Sequence, residues 1–256
     1  MAKPSTPLRP GLDEKTLAHS HAASMGAPAH ASHSAHDENP NLQHHFFSMD
    51  QQLEASILGM WVFLVTEVMF FGGLFMAYIV YRTMYPTAWV ESSHELNVYL
   101  GGINTAVLIV SSFTMAMAVR SAQTGSRNGQ IFNLIGTMIL GSTFLVIKYF
   151  EYAAKFTHHL VPGPHFQAPA GLEAVGNQMQ IFFALYFIMT GIHAAHMIIG
   201  IVLMAVILTM AWRGKFGPNY YTPVEVGGLY WHFVDIVWIF LFPLLYLLGF
   251  HGGPGA

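Results

Sequence analysis

The stretch MWVFLVTEVMFFGGLFMAY, residues 60–78, places one carboxylate, Glu67, among uncharged side chains. An apolar run of this length is a transmembrane candidate. A charge at its centre costs roughly 2.5–3.5 kcal/mol on insertion scales. Glu67 therefore stays protonated, finds a partner, or serves a purpose. On its own helical face lie Phe63, Phe70, Phe71 and Leu74, none of which offers a charge, and Arg82 is too far along the helix to pair. A neutral, hydrogen-bonding carboxyl is the expectation, read either as a proton carrier or as a packing residue.

Working outward, the composition agrees with a membrane reading. The chain has 256 residues, 54% hydrophobic and only 9% charged, where a soluble domain carries about 25% charged residues. Its mean hydropathy is +0.46. A formal net charge of −3 supplies no basic surface for nucleic acid. With no cysteine, disulfide frameworks, thiolate metal sites, iron–sulfur clusters and cysteine nucleophiles are excluded. Histidine is left as the available metal or haem ligand.

Five apolar segments follow one another at positions 55–81, 97–119, 130–152, 178–212 and 226–250. Each is near or above the length of about 20 residues that a spanning helix needs. The expected fold is an all-α, five-helix polytopic membrane bundle over residues 53–256. Residues 1–52 read as a disordered or interfacial, His-rich cytoplasmic tail, polar and without apolar period. Its histidines (His19, His21, His30, His33, His36, His44 and His45) are irregularly spaced, which favours a polar tail over a metal site. The loop histidines His158, His159 and His165 likewise lack acidic partners at helical spacing.

Basic residues set the orientation. Lys3, Arg9, Lys15, Arg120, Arg127, Arg213 and Lys215 fall on one side; Arg82 and Lys155 fall on the other, with Lys148 one turn inside the third helix. The positive-inside rule puts the N-terminus in the cytoplasm and the C-terminus outside.

Several further polar residues lie within the apolar segments. Glu151 reaches Lys155 at i+4 and Lys148 at i−3, so a local ion-pair group near the outer interface is expected to account for all three. GIHAAHMIIG (191–200) puts His193 and His196 on one helical face, with glycines that admit a neighbouring helix. WHFVDIVW (231–238) spaces His232 and Asp235 in the same way. Hydrogen bonding between helices, or to lipid, is favoured for these groups over haem or di-metal ligation, since no Glu-x-x-His arrangement is present. Asn104 and the hydroxyls of the second segment are expected to bridge helices. No P-loop, nucleophile–base pair or dinucleotide fingerprint occurs.

Taken in order, TEVMFFGGLFMAY (66–78), INTAVLIVSS (103–112), GSTFLVIKYFEY (141–152), YFIMTGIHAAHMIIG (186–200) and WHFVDIVWIFLFPLLY (231–246) resemble subunit III of haem–copper cytochrome c oxidases. The resemblance implies a non-redox accessory subunit of a proton-pumping terminal oxidase in the bacterial plasma membrane. No active site or cofactor is then expected on this chain; haem and copper belong to partner subunits. It also implies bound phospholipid, support of sustained proton uptake, and partners in oxidase subunits I and II and a respiratory supercomplex. Glu67 falls on the family's carbodiimide-reactive carboxylate; His193, His196, His232, Asp235 and Glu151 are read as lipid or inter-helix polar positions. The common long form has seven helices, and this chain resembles the shorter five-helix form, in which a longer subunit I provides extra helices. Quinol oxidases also have such a subunit, often with aspartate where Glu67 stands, so glutamate tilts the reading toward the cytochrome c branch. A rival reading is an autonomous membrane haem or metal redox protein using His193, His196 and His232.

Overall fold

The computed structural model describes residues 42–43, 46–164, 166–169 and 171–247. The expectations for the His-rich tail up to residue 41, for His44 and His45, and for His165 lie outside the described residues. Each apolar segment is a helix, and five are long and apolar enough to cross a membrane. They are α1 (Met49–Met84), α3 (Val98–Gln123), α4 (Arg127–Thr157), α5 (Gly176–Trp212) and α6 (Thr222–Tyr246), with a short α2 (Pro86–His94) between the first two. The connection between the apolar segments 130–152 and 178–212 is shorter than those bounds suggest, because α4 runs to Thr157 and a 3-10 turn, Glu173–Val175, leads directly into α5.

Local chemistry sets the ends. Asn97 accepts the backbone N–H of Tyr99 at 3.1 Å and that of Leu100 at 3.2 Å. This N-cap satisfies donors that the first turn of α3 leaves open. Proline occupies the first turns of α2 and α6, where its missing N–H is harmless. Gly125, with a φ of 75°, supplies the left-handed residue that reverses the chain between α3 and α4. Arg127, opening α4, donates to the carbonyl of Trp212 at the end of α5.

Within the unit spanning residues 53–256, helices α3, α4, α5 and α6 form a closed ring: α3 packs on α4 and α6, and α5 on α4 and α6. Trp231 fills its centre. A Cβ on Gly141 of α4 would fall 2.7 Å from the Trp231 ring, and one on Gly200 of α5 would fall 3.0 Å from it. Both glycines are therefore what lets three helices close on one indole. Gly191, the other glycine of the α5 motif, has only the Tyr152 hydroxyl near its Cβ position among the described residues, at 3.8 Å.

α1 stands apart from this ring. Only 17% of its apolar window is buried, against 56% for α6. Its backbone stays farther from the ring than the ring helices stay from each other, and side chains span the gap. Tyr78 donates to the Leu244 carbonyl at 2.7 Å, and Phe71 meets Phe233 edge-on at 6.3 Å.

Candidate functional site

The side chains that bridge α1 to the ring include Glu67. Its Oε2 lies 3.2 Å from Nε2 of His196 on α5, a partner 129 positions away that no reading of α1's own face could supply. The opposite nitrogen, Nδ1, lies 2.9 Å from the carbonyl of Ile192. A carbonyl only accepts, so Nδ1 carries a hydrogen and the neutral ring is an acceptor at Nε2. Two states satisfy the contact: a protonated Glu67 donating to neutral imidazole, or ionised Glu67 accepting from imidazolium. Both states are neutral overall, and they differ only in where one proton sits. The pair is held by the Phe71 ring, 5.4 Å from that of His196, and by Tyr230, which donates to the His196 carbonyl at 3.0 Å. Glu67 and His196 keep side-chain exposures of 19% and 17%, so the pair reaches the lipid-facing edge rather than the sealed core.

His193 goes elsewhere. Although i and i+3 share a helical face, His193 is fully buried between Phe144 and Trp238, ring centroids 5.3 and 5.2 Å away. Neither of its nitrogens has a hydrogen-bond partner among the described residues. His232 pairs instead with α3, its Nδ1 lying 2.7 Å from the Ser112 hydroxyl. The three imidazoles thus face three different environments, and among the described residues no group of three or more His, Asp or Glu converges as a metal site would require. His193 packs against two aromatic rings, edge-on to Phe144 and tilted to Trp238. The side chains therefore do not fit the autonomous redox reading.

A second polar group lies deeper. Glu151 accepts from Lys148 Nζ (3.0 Å), Tyr186 (2.8 Å) and Tyr246 (2.5 Å), and Lys148 also donates to the Tyr246 oxygen at 2.6 Å. The Lys148 ammonium sits 4.7 Å from the Trp238 ring, within cation–π range. The expectation of one local group serving three charges needs correction. Lys148 pairs with Glu151 as expected, and both are buried at 4% exposure inside the bundle. Lys155 turns away and donates to the backbone carbonyl of Glu95. A helix shows one charge to another at i+4, but a backbone carbonyl between α2 and α3 is the partner that the Lys155 ammonium reaches. Tyr186 and Tyr246 escape sequence reasoning; their only signal is a phenol inside an apolar segment.

The hydroxyls of α3 bridge helices as expected. Trp231 donates to Ser111 and Trp238 to Thr105, both at 3.1 Å, and Thr114 meets Thr137 at 2.8 Å. Asn104 departs from this pattern: it is fully buried, and neither end of its amide has a hydrogen-bond partner among the described residues.

Five spanning helices with polar groups tied between them, and no converging ligand set among the described residues, define a polytopic helical membrane subunit. The family described as Cytochrome c oxidase subunit III matches residues 36–177 and 175–250. Cytochrome c oxidase subunit 3 of Corynebacterium diphtheriae is 36% identical over 195 residues, covering 75% of this chain and 87% of that protein. The Thermostichus vulcanus protein of the same name is 33% identical over 196 residues, with 75% and 87% covered. Quinol oxidase subunit 3 of Bacillus subtilis is 32% identical over 197 residues, with 77% and 89% covered. The chain belongs to the cytochrome c oxidase subunit III family. It is an accessory subunit of a haem–copper oxidase, a multi-pass protein of the bacterial plasma membrane that works with other oxidase subunits.

Proposed function

We propose that this subunit carries no redox group itself, flanks oxidase subunits I and II, retains phospholipid, and sustains proton uptake by the catalytic subunit. The observation that carries this reading is the 3.2 Å Glu67–His196 contact at the partly exposed edge of α1 and α5, an arrangement able to share one proton between carboxyl and imidazole. A neutral pair exchanges a proton without placing a net charge in the bilayer, which a lone carboxylate at that depth cannot do. Its partial exposure supports a role toward lipid or a neighbouring subunit rather than inside the bundle.

The test is made on the whole oxidase, purified through a tag on another subunit. This chain and phospholipid are expected to co-purify. Removal of the subunit is expected to leave initial oxygen reduction largely in place while shortening the period over which turnover is sustained. A stoichiometric haem band on the separated subunit would overturn the reading. Cytochrome c is the electron donor favoured by glutamate at position 67; quinol oxidase relatives match with similar identity, so oxidation of reduced cytochrome c against quinol by the complex decides the donor.

A further inference from the structure

The Lys148–Glu151 group holds more proton-bearing atoms than a tie between helices requires. Oε1 of Glu151 accepts from both Tyr186 and Tyr246, and Oε2 accepts from Lys148. Tyr246 also stands between the two charges: its oxygen accepts from Lys148 Nζ at 2.6 Å and donates to Glu151 at 2.5 Å. Both steps are within the reach over which positioned groups pass protons. One shift along this line moves a proton from the ammonium to the phenol oxygen and the phenol's own proton to the carboxylate. An N–H bond of Lys148 and the O–H bond of Tyr246 break, and O–H bonds form on Tyr246 and Glu151. Ammonium and carboxylate become amine and carboxyl with no change in net charge. A dry interior penalises separated ions and favours their neutralisation, so the two forms compete. Asp235, at the middle of α6, is as deeply buried at 3% exposure, but neither of its oxygens has a hydrogen-bond partner among the described residues, and it has no such relay.

The group also lies close to water. Tyr246 is the last residue of α6, and Glu151 is about 9 Å from the end of α4 at ~1.5 Å per residue. At the same end a pocket of about 410 Å³, between the end of α2 and the start of α3, is lined by His94, Glu95 and Asn97 and stops at Tyr246. The first three residues are exposed and Tyr246 is fully buried, so its ring is the floor between the pocket and the charges beneath. Gly101 on α3 gives that ring its place, since a Cβ there would fall 3.0 Å from it. Beside the floor, Lys155 donates to the Glu95 carbonyl and feels the charges of both Glu95 and Glu151. From the pocket inward the charges alternate through Glu95, Lys155, Glu151 and Lys148, and pass from exposed to buried. Tyr152 on α4 and Tyr186 and His193 on α5 are the other titratable groups around them.

We propose that Lys148, Tyr246 and Glu151 form a proton-exchanging site open to the aqueous phase at the α2 end of the bundle, with the Tyr246 ring as its gate. When the ring swings toward the pocket, Tyr246 gives its proton to water there. On return it regains a proton from the Glu151 carboxyl and leaves the carboxylate; uptake is the reverse. The site is separate from the Glu67–His196 pair and uses only side chains of this chain.

Infrared difference spectroscopy on the oxidase complex, purified through a tag on this chain, reads the site directly. A protonated-carboxyl C=O band is expected that grows as the pH falls, shifts in D₂O and disappears in Glu151→Gln. Where Glu151→Gln does not assemble, a shift of the same band in Tyr246→Phe, which removes a hydrogen-bond donor, identifies it. Tyr246→Phe is also expected to slow the deuterium shift by about a hundredfold, at the low end of what a positioned proton-transfer group contributes. No such band at any pH at which the complex stays intact would leave a fixed ion pair and overturn the proposal, as would an exchange rate unchanged in Tyr246→Phe. Hydroxyl-radical footprinting of the unaltered complex checks the gate without a substitution. Tyr246 is expected to be oxidised severalfold faster than Trp231, which is equally buried in the static fold; equal rates would mean that water never passes the floor, and would overturn the proposal.

Discussion

Two intramembrane glutamates answer the same desolvation problem in opposite ways. Glu151 is sealed in and receives three hydrogen bonds, from one ammonium and two phenols. Glu67 sits at the edge with one imidazole. Removing one partner of a buried, fully bonded pair leaves the other charge uncompensated and typically costs about 3–5 kcal/mol. Lys148→Met is therefore expected to destabilise the subunit by that amount, read as a lower denaturant midpoint in detergent. A change below ~1 kcal/mol, the ordinary worth of an exposed pair, would mean that the group is not what ties α4, α5 and α6. Interhelical hydrogen bonds at membrane sites average only about 0.6 kcal/mol, with a maximum near ~1.7 kcal/mol. Glu67→Gln is accordingly expected to leave assembly intact, shift stability by less than ~1 kcal/mol, and lower turnover only modestly. Complete loss of oxygen reduction with normal haem content would show that Glu67 has a larger part. A companion change, His196→Phe, removes the proton-sharing partner and is expected to alter the rate at which Glu67 reacts with a hydrophobic carbodiimide, measured by labelling of this chain.

At the level of the helices, close approach is concentrated where Gly141 and Gly200 press on Trp231. Over-packing such a contact costs typically about 1–3 kcal/mol. Gly141→Ala, whose Cβ would fall 2.7 Å from the indole, is expected to lose stability in that range. Gly73 on α1 has nothing among the described residues within 4 Å of the position its Cβ would take. Gly73→Ala is expected to change stability by no more than about 0.5 kcal/mol, as for a surface substitution. Thermal unfolding of the two variants side by side checks the contrast, and equal losses would refute it. The spanning helices are legible from the sequence because a long apolar run has few alternatives in a bilayer. The short helix α2 is not, because Pro86–His94 is a brief, mixed segment that reads as a loop and is held by tertiary contacts with α5 and α6. Partner choice is equally hidden. The position of Glu67 can be read, but its pairing with His196 depends on the rotation of two helices about their axes. Lys155 illustrates the same limit, since its acceptor is a backbone oxygen that every residue possesses.

Across the whole molecule, the orientation depends on which basic residues count as loop charges. Lys148 is spent on Glu151 and Lys155 on the Glu95 carbonyl, both buried, so neither acts as a free charge on the far side. At the other end, Arg120, Arg213 and Lys215 lie at or beyond helix termini, and Arg127 holds the start of α4 to the end of α5. The asymmetry is therefore sharper in the fold than in the sequence, and it supports the orientation we propose, with the connection between α3 and α4 in the cytoplasm. The chain contains no cysteine, so a single introduced thiol reports without background from this subunit. His94, at the end of α2, and Thr124, between α3 and α4, are both exposed and stand at opposite ends of α3. In intact cells a membrane-impermeant maleimide is expected to label His94→Cys and to spare Thr124→Cys until the membrane is permeabilised. The reverse pattern would invert the whole bundle, and would place the arginine-rich end and the entry of α1 on the outer face.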